Sequence, residues 1–210
     1  MLRNKFLLTG LLVILAAVLY FIFFDNDSAG PDAVVDPAVY SRQVTQERAE
    51  KDEYMRTSAD SPFRNNVPFR PLSYFAPDPA FRVTARLEPF ADKTQKLVVP
   101  LTDGSEEVYD KYAHAVFSLQ GEACRLLILK ADNKLSVLFK DQTAGKETYG
   151  GGRYLEIDPN TVSNNRIVLD FNAAYNPYCA YNPNYACPLP PNENTLPVAV
   201  RAGERYVPHE

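Results

Sequence analysis

Residues 170–194 form the strongest candidate binding segment of the chain. They combine carboxylate, amide and phenol groups, carried by Asp170, Asn172, Tyr175, Asn176, Tyr178, Tyr181, Asn182, Tyr185 and Asn194. Prolines at positions 177, 183, 188 and 190 stiffen this stretch, and polar groups on a stiff loop can fix a sugar or a peptide. The competing interpretation is that Asx turns and tyrosine packing simply hold an irregular segment against a sheet. Both interpretations stay open at this point.

A glycine-rich stretch, KETYGGGRY from Lys146 to Tyr154, is the second candidate. Consecutive glycines permit a close backbone approach to a ligand, and Arg153 could bind an anion through two hydrogen bonds. A phosphate loop would need Gly-Lys-Ser/Thr and a following helix. The alternative is a hairpin turn with Arg153 paired to Glu156 or Asp170. Together the two candidates predict these ligand-binding residues: Arg153, Tyr154, Asp170, Asn172, Tyr175, Asn176, Tyr181 and Asn194.

An enzymatic role would rest on acidic side chains. Glu156 or Asp170 could act as general acid or base in a hydrolase, and paired carboxylates also serve glycosidases. His114 lies in an apolar strand and His209 near the C-terminus, which argues against a two-histidine metal site. His114 has no nucleophile-elbow motif beside it. We therefore assign no catalytic residue, metal or cofactor from the sequence, and favour a non-enzymatic role.

Cys179 and Cys187 are eight residues apart within the candidate binding segment. In an oxidising compartment this spacing predicts a disulfide that closes a small loop. A nucleophilic thiol would need a base, for which His114 is the sole plausible residue, and a metal site would need further ligands. Cys124 lies in an apolar strand and is predicted to be a buried free thiol.

The elements that must position these residues are mainly β-strands. Alternating and β-branched patterns predict strands at residues 81–87, 96–101, 112–119, 124–130, 135–139, 153–157, 166–171 and 198–201. Residues 126–129 are continuously apolar, which is typical of a strand covered on both faces. About seven or eight short strands predict an antiparallel barrel or sandwich. A short amphipathic helix, residues 36–56, precedes them, with Asp36 as cap and Pro37 at its first position.

An uncharged run of nineteen residues extends from Phe6 to Phe24. A helix of this length spans roughly 28 Å, close to the apolar thickness of a bilayer. Arg3 and Lys5 precede it, and Asp25 and Asp27 follow it. The positive-inside rule predicts a single-pass anchor with a cytoplasmic N-terminus and an exterior domain. A cleaved signal peptide is the alternative, and it would also export the domain.

The composition limits the classes of partner. The net charge is −4, and without the cations Arg3 and Lys5 it becomes −4 − 2 = −6, which excludes a basic nucleic-acid footprint. The hydrophobic fraction of 46% and charged fraction of 23% are those of a globular protein. The predicted organisation is a tip (1–5), an anchor (6–24), a spacer (25–35), a β domain (36–206) and a tail (207–210).

Several stretches of the chain resemble the bacterial family of unknown function DUF1684. They are Lys51-Asp52, Ser61-Pro62, KDQTAGKETYGGGRYLE (140–156), LDFNAAYNPYCAYNPNYACPLPPNEN (169–194) and RAGERY (201–206). The similarity covers residues from about 48 to 206. Glu156 departs from the aspartate that is usual in the family, which keeps an acid in place. The resemblance implies a shared domain, and it implies no activity.

These observations lead to one main hypothesis and two alternatives. The main hypothesis is a domain tethered to the bacterial inner membrane and lying in the periplasm or another extracytoplasmic space. It would bind a small polar ligand or an envelope protein. The first alternative is the Glu156/Asp170 hydrolase. The second is a purely structural protein that acts through its anchor or through the helix at residues 36–56.

Overall fold

The computed structural model describes residues 36–64, 67–131 and 133–207, all within one compact unit. Seven antiparallel strands form one sheet with the order β6-β5-β4-β3-β1-β7, and β2 pairs with β3. The strands are β1 (Arg82–Pro89), β2 (Lys96–Pro100), β3 (Glu106–Leu119), β4 (Glu122–Ala131), β5 (Lys134–Phe139), β6 (Arg153–Ile157) and β7 (Arg166–Asp170).

Apolar clusters cover the two faces of this sheet. Leu126 and Ile128 of β4 belong to the larger cluster, which defines the first face, whereas Leu127 and Leu129 belong to a smaller cluster on the second face. Successive side chains of a strand point to opposite faces, so a strand buried on both sides must be apolar at every position. The prediction from the apolar run at residues 126–129 is confirmed.

The sheet curls into a half-barrel, so the mainly β antiparallel class is confirmed. A closed barrel and a two-sheet sandwich are both replaced by this single sheet, in which β6 and β7 stand at the two ends of the order. The eighth strand predicted at residues 198–201 does not form. Instead, the Val200 N–H donates to Asp141 and its carbonyl accepts from Arg153. These side chains satisfy backbone groups that would otherwise need a neighbouring strand.

An α-helix, α1 (Pro37–Thr57), precedes the sheet and begins as predicted. The Asp36 carboxylate accepts hydrogen bonds from the backbone N–H groups of Ala38 and Val39 at 2.8 and 3.2 Å, which caps the helix N-terminus. Tyr40, Val44 and Met55 form its buried side. The helix is therefore attached to the domain by a narrow apolar stripe, as expected for a largely solvated helix.

The predicted anchor and spacer, residues 6–24 and 25–35, lie outside the described residues. Within the described part of the chain, from residue 36 to 207 apart from its short gaps, no helix has the length and apolarity needed to cross a membrane. The anchor therefore stays a prediction from the sequence.

Candidate functional site

A cavity of about 670 Å³ lies beside α1 on the second face of the sheet, near β5 and β6. We call it the tyrosine cavity because five tyrosine side chains line it, namely Tyr54, Tyr154, Tyr175, Tyr178 and Tyr185. Three charged side chains also line it, namely Lys51, Lys134 and Glu156. Aromatic walls with a few polar groups are the usual composition of a small-molecule site.

The alternation of β6 supplies two of these residues. Arg153 and Leu155 are buried on the first face, so Tyr154 and Glu156 emerge on the second face. Tyr175 reaches the same place because its backbone pairs with that of Tyr154, with N–H to carbonyl distances of 2.9 and 3.0 Å in the two directions. Residues 170–194 thus add an isolated bridge to the β6 edge, which brings Tyr175 beside Glu156.

Hydrogen bonds fix the polar groups of this wall. The Tyr175 hydroxyl donates to Glu156 Oε1 at 2.9 Å, and the Tyr154 hydroxyl donates to the Pro188 carbonyl. Their rings meet edge to face, with centroids 5.8 Å apart. Burial raises the pKa of both phenols above its ordinary value. Both tyrosines consequently remain neutral hydrogen-bond donors at physiological pH, beside a carboxylate that accepts.

Lys51 contributes a cation to the cavity wall. Its ammonium group lies 4.3 Å from the centroid of the Tyr175 ring and 3.5 Å from the Glu204 carboxylate. Burial lowers the pKa of Lys51, while the charge of Glu204 opposes that change. Glu204 is fully buried and also accepts from the Asn176 N–H at 2.7 Å and from the Tyr181 hydroxyl. This network holds the ammonium group at the edge of the cavity.

Lys51 is not among the site residues predicted from the sequence, although a signal was present. Lys51 follows Val44 by seven positions and precedes Met55 by four, so it shares the apolar face of α1. A charged residue on that face must meet a partner when the helix packs against the domain.

Arg153 lies in the protein interior, 1% exposed, and binds protein groups only. Its guanidinium donates to Asp141 at 3.0 Å and to the carbonyls of Val200, Ala202 and Glu204 at 2.8, 2.5 and 3.1 Å. Its ionic partner is therefore Asp141, and neither Glu156 nor Asp170. In this position Arg153 joins the C-terminal segment to β6.

Asp170 and Asn172 fasten neighbouring segments together. Both carboxylate oxygens of Asp170 accept from the Tyr40 hydroxyl, at 2.8 and 2.7 Å, and Arg82 lies 3.8 Å away. The Asn172 side chain both accepts from and donates to the Asp78 backbone, at 2.9 and 2.8 Å. Glu156 lines the tyrosine cavity and Asp170 does not, so the two acids proposed for a hydrolase face different surroundings.

Asn176, Tyr181 and Asn194 also act as internal supports. Asn194 accepts from the Leu127 N–H at 2.7 Å and donates to the carbonyls of Leu127 and Leu138 at 2.9 and 2.8 Å, bridging β4 and β5. Asn176 donates to the Arg205 carbonyl at 3.0 Å and to Tyr181 at 3.2 Å. Of the predicted binding residues, Tyr154 and Tyr175 line the tyrosine cavity, and the other six stabilise the fold around it.

The predicted disulfide is absent, because Cys179 and Cys187 are free thiols. The two residues are nevertheless adjacent, and the Cys179 N–H donates to the Cys187 sulfur at 3.1 Å. Cys187 also lines the tyrosine cavity. Hydrogen bonding, rather than a covalent bond, joins the two ends of this small loop. Cys124 is a buried free thiol, as predicted.

His114 is held by charged partners on both ring nitrogens. Arg125 lies 2.9 Å from Nδ1 and Glu193 lies 2.8 Å from Nε2. A guanidinium only donates, so Nδ1 accepts and the proton resides on Nε2, where it is donated to Glu193. His114 therefore has no lone pair free to activate a cysteine. Among the described residues, no group of His, Cys, Asp or Glu side chains is arranged to hold a metal ion.

A curled antiparallel sheet, with an irregular segment and one helix framing a tyrosine-lined cavity, defines a small, mainly β protein of the half-barrel kind. A family model described as "Protein of unknown function (DUF1684)" matches residues 68–205. The chain belongs to this family, which confirms the resemblance found in the sequence.

A solved structure is similar to this chain over most of its length. The solution NMR structure of an uncharacterized protein of Haloarcula marismortui is 37% identical in sequence and has a TM-score of 0.62. The match covers 80% of this chain and 95% of that chain. No curated protein shows significant similarity to this chain.

Proposed function

We propose that this protein binds a small polar ligand of the carbohydrate type in the tyrosine cavity. The observation that carries the proposal is the combination of neutral tyrosine hydroxyls, aromatic walls and the Glu156 carboxylate around a space of about 670 Å³. Cavities of several hundred Å³ accommodate small molecules. Arg153 and Asp170, which the sequence predicted as binding residues, are not part of the proposed site because protein groups occupy their hydrogen bonds.

The cavity wall matches the chemistry of a sugar ring. Tyrosine rings such as those of Tyr178 and Tyr185, which meet edge to face with centroids 5.4 Å apart, offer apolar surface to the C–H face of a sugar. Glu156 and the tyrosine hydroxyls can exchange hydrogen bonds with ligand hydroxyl groups. The Lys134 side chain on the same wall adds a cation that can pair with a sugar carrying an acidic group, whereas the Lys51 ammonium is already paired with Glu204.

We also propose that this domain lies outside the cytoplasmic membrane of a bacterium, held there by residues 6–24. The uncharged run with Arg3 and Lys5 before it and Asp25 after it supports a single-pass anchor of this orientation. An exterior position would make envelope components, including polysaccharides and envelope proteins, the available ligands and partners.

Calorimetric titration of the full-length protein in detergent would test the cavity. Neutral and acidic mono- and disaccharides are the probes, and we expect an acidic sugar to bind more tightly than its neutral counterpart. Glu156→Gln and Tyr175→Phe should each weaken that binding about 10-fold, since a hydrogen bond to a charged group contributes roughly 1.5–3 kcal/mol. Glu106→Gln, an exposed change on β3, is the matched control.

Two results would contradict this proposal. One is heat-silent titration with every sugar of the panel while tyrosine fluorescence and circular dichroism report a folded protein. The other is binding that Glu156→Gln and Glu106→Gln weaken equally, which would place the ligand elsewhere.

A further inference from the structure

The outer edge of β6, which faces away from β5, carries backbone groups in two different situations. The Tyr154 N–H and carbonyl bond to the backbone of Tyr175 at 2.9 and 3.0 Å, so they point away from β5. In an antiparallel strand, residues two apart direct their N–H and carbonyl groups to the same edge. The backbone N–H and carbonyl of Glu156 therefore also point to the outer edge.

Pairing within the sheet supports this orientation. Leu138 of β5 stands opposite Tyr154, and its carbonyl accepts from the Asn194 side chain at 2.8 Å on the side of β4. Tyr154 and Leu138 are thus a pair without mutual backbone hydrogen bonds. Ser136 and Glu156, two residues further along the same unbroken register, form a pair of the same kind.

The segment that covers Tyr154 leaves Glu156 uncovered. If the pairing of Tyr154 with Tyr175 continued by two residues, Ala173 would stand opposite Glu156. Phe171–Ala173 instead form a short 3-10 helix, and no described backbone group outside the sheet bonds to the Glu156 N–H or carbonyl. Glu156, Ala173 and Tyr175 all line the tyrosine cavity. One donor and one acceptor of the sheet edge are therefore available to a ligand in this cavity.

The open edge has room for one pairing only. Tyr175 covers the preceding outward-facing position, and β6 ends at Ile157, one residue after Glu156. A peptide that adds a strand to a sheet pairs along several residues of the edge, whereas a sugar ring needs only two adjacent polar substituents. The length of the open edge therefore favours a ring-sized ligand over an extended chain.

We propose that the ligand of the tyrosine cavity is an N-acylated amino sugar that pairs with the main chain of Glu156. This inference rests on the function proposed above and names the class of sugar. The amide N–H of the ligand donates to the Glu156 carbonyl, and the adjacent ring hydroxyl accepts from the Glu156 N–H. Met55, Ala173 and Pro177 line the same cavity and offer apolar surface to the acyl methyl group.

Calorimetric titration of the full-length protein in detergent with three matched methyl glycosides tests this inference. They are a 2-acetamido sugar, its 2-hydroxy parent and the 2-O-acetyl ester, which keeps the acetyl group and has no N–H. We expect the acetamido sugar to bind about 5-fold more tightly than either of the others. The parent lacks the methyl group, and the ester leaves the Glu156 carbonyl without a donor.

Two alanine positions on the cavity wall provide a variant and its matched control. Ala173 and Ala186 are both exposed and both line the tyrosine cavity, and Ala186 also lines a neighbouring cavity of about 280 Å³. Ala173→Val fills space opposite Glu156 and should remove the preference for the acetamido sugar over its parent. Ala186→Val adds the same two methyl groups elsewhere and should keep that preference.

Amide NMR of the full-length protein gives a direct measure of the main-chain contact. Addition of the acetamido sugar should move the Glu156 N–H resonance downfield, because this group gains an acceptor. The Tyr154 N–H is already bonded to the Tyr175 carbonyl, so its resonance should stay in place.

The outcomes separate this inference from the function on which it rests. If the parent sugar binds and the acetamido group adds nothing, or if the Glu156 resonance does not move, the inference is overturned and sugar binding stands. If no sugar binds to the folded protein, both are overturned. An N-acetylated tripeptide that binds more tightly than the acetamido sugar would identify a peptide ligand and would also overturn the inference.

Discussion

At the scale of single residues, burial divides the polar side chains into supports and cavity groups. Arg153 and Asn194 are almost inaccessible and satisfy buried backbone carbonyls, whereas Glu156 and Tyr175 face the tyrosine cavity. A buried polar group must find partners inside the protein, because it can no longer bind water. Polar and charged residues occur throughout residues 153–194. Whether one of them supports the fold or faces the cavity depends on how deeply the fold buries it.

Arg153→Leu should strongly destabilise the protein. The change leaves the buried Asp141 carboxylate without its cation and frees the carbonyl of Val200. Breaking one side of a buried ion pair typically costs about 3–5 kcal/mol. Urea unfolding measures the loss.

The exposed pair of Arg201 with Glu147, 2.9 Å apart, offers a control for that experiment. Solvent screens an exposed ion pair, so Arg201→Leu should leave the unfolding midpoint nearly unchanged. Similar losses of stability in the two variants would show that burial does not increase the cost of removing the Arg153 guanidinium.

At the scale of elements, α1 is joined to the sheet by polar contacts at the end of β7. The Tyr40 hydroxyl bridges to Asp170, the last residue of β7, and Arg48 donates to the carbonyl of Asn172 at 3.3 Å, two residues further on. Because α1 also carries Lys51 and Tyr54 into the tyrosine cavity, its attachment controls the geometry of that wall.

Tyr40→Phe should loosen this attachment. A hydrogen bond to a charged carboxylate is worth roughly 1.5–3 kcal/mol, so we expect a loss of stability in that range. Amide hydrogen exchange should become faster across α1 and stay unchanged in β4. Gln46→Ala, on the exposed side of the same helix, should leave both observables near their wild-type values. Equal rates of amide exchange across α1 in the two variants would show that the Tyr40–Asp170 hydrogen bond does not hold the helix in place.

A tight backbone approach fixes the C-terminal segment against residues 171–174. Gly203 has φ +74°, and a Cβ atom there would lie 2.5 Å from the Ala174 carbonyl oxygen and 2.6 Å from that of Phe171. Gly104 has φ +85°, yet a Cβ atom there would meet no atom of the described chain within 4 Å. The two positions thus share the backbone strain and differ in the available space.

Substitution of each glycine by alanine should separate these effects. Gly104→Ala should destabilise by roughly 1–2 kcal/mol, because of the left-handed conformation alone. Gly203→Ala should lose about 1–3 kcal/mol more, because the methyl group meets backbone that cannot move away easily. Thermal unfolding of both variants gives the comparison. Equal losses would mean that residues 171–174 shift without penalty.

At the scale of the whole molecule, the half-barrel provides two covered faces and one tyrosine-lined cavity. The first face holds the larger apolar cluster, and the second face carries Tyr154 among the residues packed on its smaller cluster. A covered second face keeps the cavity wall rigid, which favours binding because little side-chain freedom is lost.

The proposed membrane position can be tested with reporters in a bacterial host. Alkaline phosphatase, which is active only outside the cytoplasm, should be active when fused after residue 207. Deleting residues 1–24 should leave the fusion inactive and soluble. Replacing Arg3 and Lys5 by Glu should reduce the phosphatase activity of the intact fusion, since these cations orient the segment. A full-length fusion that is inactive and soluble would refute the anchor.

Local features of this protein could be predicted from the amino-acid sequence. Strand β6 was predicted with its observed bounds, the Asp36 cap of α1 was predicted, and the apolar run at residues 126–129 indicated a doubly covered strand. Each depends on side-chain periodicity or on contacts between neighbours in the chain. Such information is present in short windows of sequence.

Contacts between residues far apart in the chain could not be predicted from the sequence. The partner of Arg153 is Asp141, the partner of Lys51 is Glu204, and Cys179 meets Cys187 as a thiol. The strand pattern was compatible with a closed barrel or a sandwich, and the folded chain instead forms one curled sheet, a half-barrel. These pairings depend on how strands and irregular segments pack in space, and many partners of equal chemistry were available along the chain. Burial selected among them, because enclosed polar groups such as the Asp141 carboxylate and the Asn194 amide find hydrogen-bond partners where the fold places them.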